Sequence, residues 1–332
     1  MGSKIISIEV YLPQFVLSNV QLENDFGKWK SEKIESKLGI KERHISADNE
    51  TAGDMGFYAA SKVLEYYDKE KIDMLILCTQ SPDYFLPTTA CVLQNRLELK
   101  TDLCAYDFNL GCSGFVYGLA MAKSFIKTGI ASSVLLITSE TYSKHIHQND
   151  LALKTVFGDG AAATIVESSD EENIFEFILG TDGSGKENLI VPNGGFRNAY
   201  DPLVDEKKTD SDDTYTDNNL FMNGPEIFNF TNIAVPKAIE QCLIKNKMSL
   251  DEVDYFIFHQ ANKYMIEYLR KKIGIPKEKF YVNMLLTGNT VSATIPIAYS
   301  DALNNGKIAK GNKVLLCGFG VGYSWGAVIV EV

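Results

Sequence analysis

The sequence predicts an α/β protein built from two similar halves, residues 1–170 and 171–332, that pack face to face. One observation behind this fold class is the alternation of helical patterns with short apolar segments, which are typical of buried strands. The other is an internal repeat, in which Asp73 and Asp254 occupy corresponding positions 181 residues apart. An offset that is kept over many positions indicates two copies of one supersecondary unit.

Each half contains the same elements in the same order. The first copy has a helix at 55–67, a strand at 72–78, a turn at 109–114, a helix at about 113–128 and a strand at 133–138. The second copy has the corresponding elements at 227–245, 253–258, 287–290, 291–305 and 313–317. Glycine follows the central helix of each copy, at Gly129 and Gly306, as helix C-termini prefer. Because helices connect the strands, we expect parallel sheets with helices on both faces.

Composition and charge exclude several classes of protein. The 332 residues include 32 Lys and Arg against 43 Asp and Glu, a net charge of −11. This charge argues against nucleic-acid binding, which depends on neutralising phosphates. No apolar run approaches the roughly 20 residues of a membrane helix, and the N-terminus lacks the apolar stretch of a signal peptide. We therefore expect a cytoplasmic protein with neither a membrane nor a nucleic acid as partner.

The six cysteines are widely spaced and form no CxxC pair, so neither a metal site nor a disulfide framework is predicted.

The segment 201–217 differs from the repeat, because it holds seven acidic residues and two lysines. One interpretation is a solvated surface loop. The other is a lid or rim over the active site.

Cys112 is the strongest candidate for a nucleophile. It lies in Asn109-Leu110-Gly111-Cys112-Ser113-Gly114-Phe115, between a strand-like segment and a helical pattern. The two glycines permit a sharp turn and a close backbone approach. A helix N-terminus lowers the pKa of a thiol, so we expect a reactive cysteine whose neighbouring amides hold an oxyanion. The alternative interpretation is a buried structural cysteine.

His259 and Asn289 are the next candidates. His259 ends an apolar strand, and ligands bind at the carboxyl ends of strands in parallel α/β sheets. Asn289 precedes a helix and falls near the position in the second copy that Cys112 holds in the first. Pseudo-twofold symmetry would bring all three to one central cavity. Taken singly, His259 could be a core histidine, and Asn289 could form a turn or a helix cap.

The sequence resembles the β-ketoacyl-acyl-carrier-protein synthase III family of the thiolase superfamily over essentially the whole chain. The motifs that carry the resemblance are Leu38-Gly39-Ile40-x-x-Arg43, Asn109-x-Gly111-Cys112-Ser113-Gly114-Phe115, Phe157-Gly158-Asp159-Gly160-Ala161, His259-Gln260-Ala261-Asn262, Gly288-Asn289-Thr290 and Gly318-Phe319-Gly320-x-Gly322-x-x-Trp325-Gly326. The resemblance implies a thiolase-like duplicated fold of five layers, α/β/α/β/α.

The resemblance also implies a two-step decarboxylative Claisen condensation that initiates fatty acid biosynthesis or a related pathway. An acyl-CoA acylates Cys112, and the malonyl-acyl carrier protein then loses CO2 and attacks the acyl-enzyme. His259 and Asn289 would hold the malonyl thioester oxygen. The backbone amides of Cys112 and Val321 would form the oxyanion hole. No cofactor is implied beyond the thioester substrates.

Further residues take roles from the resemblance alone. Leu86 and Phe319 would line the acyl pocket, with Leu86 on a loop that reaches into the partner of a homodimer. Lys37, Lys263 and Arg270 would contact coenzyme A or the acyl carrier protein.

Some positions depart from the family pattern. Val321 stands where glycine is usual, Leu151 replaces a basic residue that helps to hold the nucleotide of CoA, and Lys37 replaces an arginine. These departures leave a non-elongating acyltransferase of the same fold as an alternative. A cysteine hydrolase is an alternative of another kind, although the repeat has no role in that class. A catalytically silent module that binds the carrier protein is the alternative without enzymatic activity.

Overall fold

The computed structural model describes residues 2–209 and 213–332 of the chain. The first half contains β1 (Gly2–Tyr11), β2 (Phe15–Ser18), α1 (Asn19–Phe26), α2 (Ser31–Leu38), β3 (Glu42–Ile45), α3 (Ala52–Leu64), β4 (Met74–Cys78), α4 (Thr89–Arg96), β5 (Cys104–Phe108), α5 (Gly114–Lys127), β6 (Ser133–Glu140), α6 (Leu151–Lys154) and β7 (Gly160–Ser169). The second half contains β8 (Ile178–Thr181), β9 (Leu189–Ile190), β10 (Lys207–Lys208), β11 (Thr214–Tyr215), β12 (Phe221–Met222), α7 (Gly224–Lys245), β13 (Tyr255–Phe258), α8 (Lys263–Ile273), β14 (Phe280–Tyr281), α9 (Thr294–Asn304), β15 (Lys313–Gly320) and β16 (Ser324–Glu331).

Two five-stranded sheets carry the fold, with strand orders β1-β7-β6-β4-β5 and β14-β13-β15-β16-β8. In the first sheet β4 runs parallel to β5 and β6, and in the second β13 runs parallel to β14 and β15. The prediction of parallel sheets is wrong at one side of each sheet, where β7 and β16 run antiparallel to their neighbours. The reason for β16 is its short connection to β15, because a tight hairpin reverses the chain.

Each sheet takes its strands from one part of the chain. Those of the first sheet lie within 2–169, and those of the second lie within 178–331. The proposed division between residues 170 and 171 falls in the connection from β7 to β8.

Helices cover and separate the two sheets, and together they form five layers. Helices α3 and α4 pack on the outer face of the first sheet, and α7 and α8 pack on the outer face of the second. Helices α5 and α9 lie between the sheets and share one apolar core with both. A Cβ on Gly118 would lie 2.6 Å from Leu136 Cδ1, so this glycine allows α5 to pack directly on β6. The α/β/α/β/α arrangement implied by the resemblance is therefore present.

The acidic segment 201–217 is partly exposed and partly anchored. Asp210 and Asp212, two of its seven acidic residues, lie outside the described residues. Asp213 is buried, and its carboxylate accepts a hydrogen bond of 3.3 Å from the backbone N–H of Leu151 at the start of α6. The segment thus packs against the wall of the first half at this point.

Candidate active site

The turn before α5 places Cys112 in the interior. Its side chain is buried, two residues ahead of Gly114, the first residue of the helix. A Cβ on Gly111 would lie 2.5 Å from Gln80 Oε1 and 2.7 Å from Val321 Cγ1. No larger residue fits at position 111 without moving one of these neighbours, so glycine is what lets the turn bring Cys112 up to the second half.

The hairpin between β15 and β16 closes on Cys112 from the second half. A Cβ on Gly320 would lie 2.8 Å from Cys112 Sγ, and one on Gly318 would lie 2.7 Å from Ser113 Cα. The hydroxyls of Ser113 and Ser324 are 2.7 Å apart and hold the hairpin beside Cys112. The two halves of the repeat therefore meet at this thiol.

His259 follows the last residue of β13, as the sequence predicts. Its side chain is buried, its Nδ1 lies 2.7 Å from Thr294 Oγ1, and its ring meets that of Phe319 edge to face at 5.6 Å. Burial lowers the pKa of His259 to about 3, against a smaller opposing effect of the Val291 backbone. The imidazole is therefore neutral near pH 7.

Asn289 is held by the backbone of the first half. Its N–H donates to Val156 O at 2.9 Å, and its carbonyl accepts from the N–H of Gly158 at 3.0 Å. Its side-chain Oδ1 accepts from the N–H of Val291 at 2.9 Å, which is a turn-forming role. With Oδ1 engaged, the Nδ2 amide is the part of the side chain that can donate to a substrate.

Cys112, His259 and Asn289 line one chamber of about 100 Å³. Phe319 and Gly320 also line it, and the remaining walls are mostly apolar. The three residues singled out from the sequence are thus brought together, although Cys112 and Asn289 are 177 positions apart in the chain. The arrangement offers a thiol, an imidazole and an amide donor to one small, mostly apolar space.

The expectation of a lowered pKa for the Cys112 thiol is wrong. Burial, reinforced by the carboxylate of Glu140, raises the pKa of the Cys112 thiol to about 12. The backbone N–H groups of Val321 and Cys112 act in the opposite direction but do not outweigh burial. The Cys112 thiol is therefore neutral near pH 7, and its ionisation needs an acceptor for the proton.

Glu140 is a residue that the sequence analysis missed. It ends β6 and is fully buried, and its two carboxylate oxygens accept from Gln80 N and Ser292 Oγ, each at 2.9 Å. Burial raises the pKa of Glu140 to about 8. The available signal was an acidic residue at the carboxyl end of a central apolar strand, where sites of α/β proteins lie.

The residues assigned to the acyl pocket lie in different places. Phe319 lines the chamber at Cys112. Leu86 is 81% exposed and does not line that chamber in its own chain. Phe85, next to it, is 78% exposed and contacts the ring of Phe196 at 5.6 Å between centroids.

Lys37, Lys263 and Arg270 line a separate groove of about 1000 Å³. The groove and the chamber share Asn262, so the two are adjacent at this residue. Lys37 and Lys263 are exposed. Arg270 is different, because its guanidinium donates to Glu267 at 2.9 Å and to the carbonyl of Ile275 at 2.8 Å. Two of its five N–H donors are therefore engaged within the chain.

Comparison with known proteins identifies the family. The family model for 3-oxoacyl-[acyl-carrier-protein] synthase III matches residues 106–183, and the model for the C-terminal part of the same family matches residues 243–332. The β-ketoacyl-[acyl-carrier-protein] synthase III of Clostridium perfringens is 35% identical, over 100% of this chain and 99% of that relative. The chain belongs to the 3-oxoacyl-[acyl-carrier-protein] synthase III family.

Solved structures of this synthase family agree with the fold. A crystal structure of a 3-oxoacyl-(acyl-carrier-protein) synthase III superposes with a TM-score of 0.98 at 44% identity, covering 100% of both chains. The 3-oxoacyl-(acyl-carrier protein) synthase of Burkholderia xenovorans superposes with a TM-score of 0.92 at 36% identity, covering 100% of this chain and 94% of that one. The predictions of the family, of its thiolase-like fold and of a condensing acyltransferase are confirmed.

Within residues 2–209 and 213–332, no group of three or more His, Cys, Asp and Glu side chains could hold a metal ion. In the same part of the chain, no helix combines the length and the apolar character needed to cross a membrane.

Proposed function

We propose that Cys112, His259 and Asn289 catalyse the decarboxylative condensation of an acyl thioester with malonyl-acyl carrier protein. The observation that supports this assignment is the shared chamber, in which a thiol from the first half faces an imidazole and an amide from the second. The space is small and apolar, which suits two successive thioester reactions from which water must be kept away.

In the first step Cys112 Sγ attacks the carbonyl carbon of the acyl donor, and the bond from that carbon to the sulfur of CoA breaks. The proton leaves the thiol as the new carbon–sulfur bond forms and passes by way of His259 Nε2 to the leaving thiolate. Neither a free thiolate nor a free imidazolium accumulates, because burial disfavours both charged forms. The backbone N–H groups of Cys112 and Val321 hold the negative oxygen of the tetrahedral intermediate. One such donor contributes about 10²–10³ in rate.

In the second step the malonyl carboxylate leaves as CO2, and its electron pair forms the enolate of the acetyl thioester. Asn289 Nδ2 and His259 hold the enolate oxygen. The enolate carbon attacks the acyl group on Cys112, the carbon–sulfur bond to the enzyme breaks, and the released thiolate takes up one proton from solvent. The products are a 3-oxoacyl-carrier protein, CO2 and the free thiol.

Two measurements test these roles. Intact mass spectrometry after exposure to a panel of acyl-CoA and acyl-carrier donors should show one acyl group on the wild type and none on Cys112→Ala. His259→Ala should still be acylated, at a reduced rate, but should release CO2 from malonyl-carrier protein at least about 10²-fold more slowly. Acylation without CO2 release by the wild type would favour the non-elongating acyltransferase. No acylation by any donor would favour the silent binding module.

The groove beside Asn262 is the proposed docking site for coenzyme A and for the acidic carrier protein. Its exposed Lys37 and Lys263 supply positive charge at the chamber mouth, whereas Arg270 stabilises α8 through its own contacts. We expect Lys263→Glu to raise the KM for malonyl-carrier protein about fivefold, the factor that about 1 kcal/mol gives. Lys310→Glu makes the same charge change at an exposed site outside the groove and serves as the control. An equal KM in both variants would contradict the docking site.

A homodimer is proposed from the exposed apolar loop around Leu86. Its side chain and that of Phe85 leave a large apolar area in contact with water, which suits a partner surface. In that dimer Leu86 would close the acyl pocket of the partner subunit. Leu86→Phe should then shorten the longest acyl chain that the enzyme accepts, and sedimentation should give twice the 36.9 kDa of the chain. The cytoplasm is the proposed location, with neither nucleic acid nor cofactor involved.

A further inference from the structure

Thr294, the first residue of α9, is buried beside His259. Its Oγ1 lies 2.7 Å from His259 Nδ1 and 3.0 Å from the carbonyl oxygen of Val291. A threonine hydroxyl has one proton to donate and lone pairs that accept. It therefore donates either to the Val291 carbonyl or to the imidazole. Each choice determines whether the other ring nitrogen of His259, Nε2, carries the proton.

The first arrangement makes His259 a base. When the hydroxyl donates to Val291 O, its own oxygen accepts from His259 Nδ1–H. Because the imidazole is neutral, Nε2 then carries the lone pair. This form can take the proton from the Cys112 thiol.

The second arrangement makes His259 a donor. When the hydroxyl rotates and donates to Nδ1, the proton of the neutral ring is on Nε2. This form can hydrogen-bond the enolate oxygen in the condensation step. The carbonyl of Val291 only accepts, so it supports the first arrangement and opposes the second.

The backbone at Val291 fixes this carbonyl in place. Val291 has a φ of +56°, in the left-handed region that β-branched residues rarely adopt and that is strained by roughly 1–3 kcal/mol. The N–H of Val291 donates to Asn289 Oδ1, so the same turn orients the amide of Asn289. The strained residue thereby links the two side chains that face the extender.

We propose that Thr294 is a positioning residue whose hydroxyl lets His259 use both neutral tautomers, the base form for acylation and the donor form for condensation. The proposal rests on the proposed function, because it assigns one tautomer to each half-reaction. Neither a carbonyl nor an apolar group at this place would support both forms.

Thr294→Val tests the proposal, since valine keeps the shape and removes the hydroxyl. Of the two acceptors near His259 Nδ1, the carbonyl oxygen of Val291 is then the one left. Nδ1 therefore keeps its proton, and the base form is favoured. We expect acylation of Cys112, followed by intact mass, to change less than about threefold. Release of CO2 from malonyl-carrier protein by the pre-acylated enzyme should fall about 10²-fold, the effect of losing one oxyanion donor. Thr294→Ser, which retains a hydroxyl, should recover most of that rate.

A spectroscopic measurement separates this role from a merely structural one. With ¹⁵N-labelled histidine, Nε2 of His259 should shift toward an unprotonated nitrogen in Thr294→Val compared with Thr294→Ser. Equal loss of both half-reactions, or no selective loss of CO2 release, would overturn the proposal. The proposed function fails separately, if the wild type itself neither acylates nor releases CO2.

Discussion

Replacing Gly320 by alanine should disable the nucleophile while leaving the fold intact. The added Cβ would lie 2.8 Å from both Cβ and Sγ of Cys112. Carbon atoms pack best at about 3.5–4.0 Å, so the overlap is about 0.7–1.2 Å. The hairpin that carries Gly320 is fixed by the hydrogen bond between Ser113 and Ser324. The side chain of Cys112 therefore yields first, and its sulfur moves by about the size of the overlap.

A displacement of about 1 Å at a reacting atom costs roughly 10² in rate. We therefore expect Gly320→Ala to acylate about 10²-fold more slowly than the wild type, with a stability loss of about 1–3 kcal/mol from overpacking. Acylation is measured by quenched-flow intact mass, and stability is measured by urea denaturation. Gly183→Ala is the control, because no heavy atom lies within 4 Å of its added Cβ. Acylation of Gly320→Ala within threefold of the control would refute the reasoning.

Two further variants test the surroundings of the chamber. Glu140→Gln should lower the pKa of Cys112, because the Glu140 carboxylate raises it, so the pH profile of iodoacetamide alkylation should move to lower pH. An unmoved profile would count against this coupling. Arg43→Met should cost about 3 kcal/mol or more in urea denaturation, since it leaves two buried acceptors, Asn19 Oδ1 and Thr155 O, and the partly buried Leu17 O without their donor. A loss below about 1 kcal/mol would mean that other donors replace the guanidinium.

The repeat made much of the fold predictable. Strand β13 ends one residue before His259, and α5 begins two residues after Cys112, close to the predicted bounds. Apolar runs of strand length identify fully buried strands well, because both faces of such strands meet helices. The repeat also related Asn289 to Cys112, and the structure places both on one chamber.

The remaining features of the fold and of the site depend on tertiary contacts that no local sequence pattern encodes. The direction of β7 is set by its pairing with β1 and β6 rather than by its own sequence. The pKa of Cys112 depends on how completely the second half covers it, which a helix-terminus argument does not include. Arg270 donates a hydrogen bond to Glu267, about one turn earlier on the same helix, and a count of charged residues does not reveal such a contact.

The chamber owes its chemistry to burial as much as to its residues. Burial raises the pKa of Cys112 and of Glu140 and lowers that of His259, so each shift favours a neutral form. Under the proposed function, the same environment would disfavour a malonyl carboxylate and favour its departure as neutral CO2. The negative charge then moves to the enolate oxygen, where Asn289 Nδ2 and His259 Nε2–H can hold it. Under the proposed function, a chamber that disfavours charge on its side chains would thus direct the extender toward decarboxylation, and the hydroxyl of Thr294 would determine whether His259 can act as the second donor.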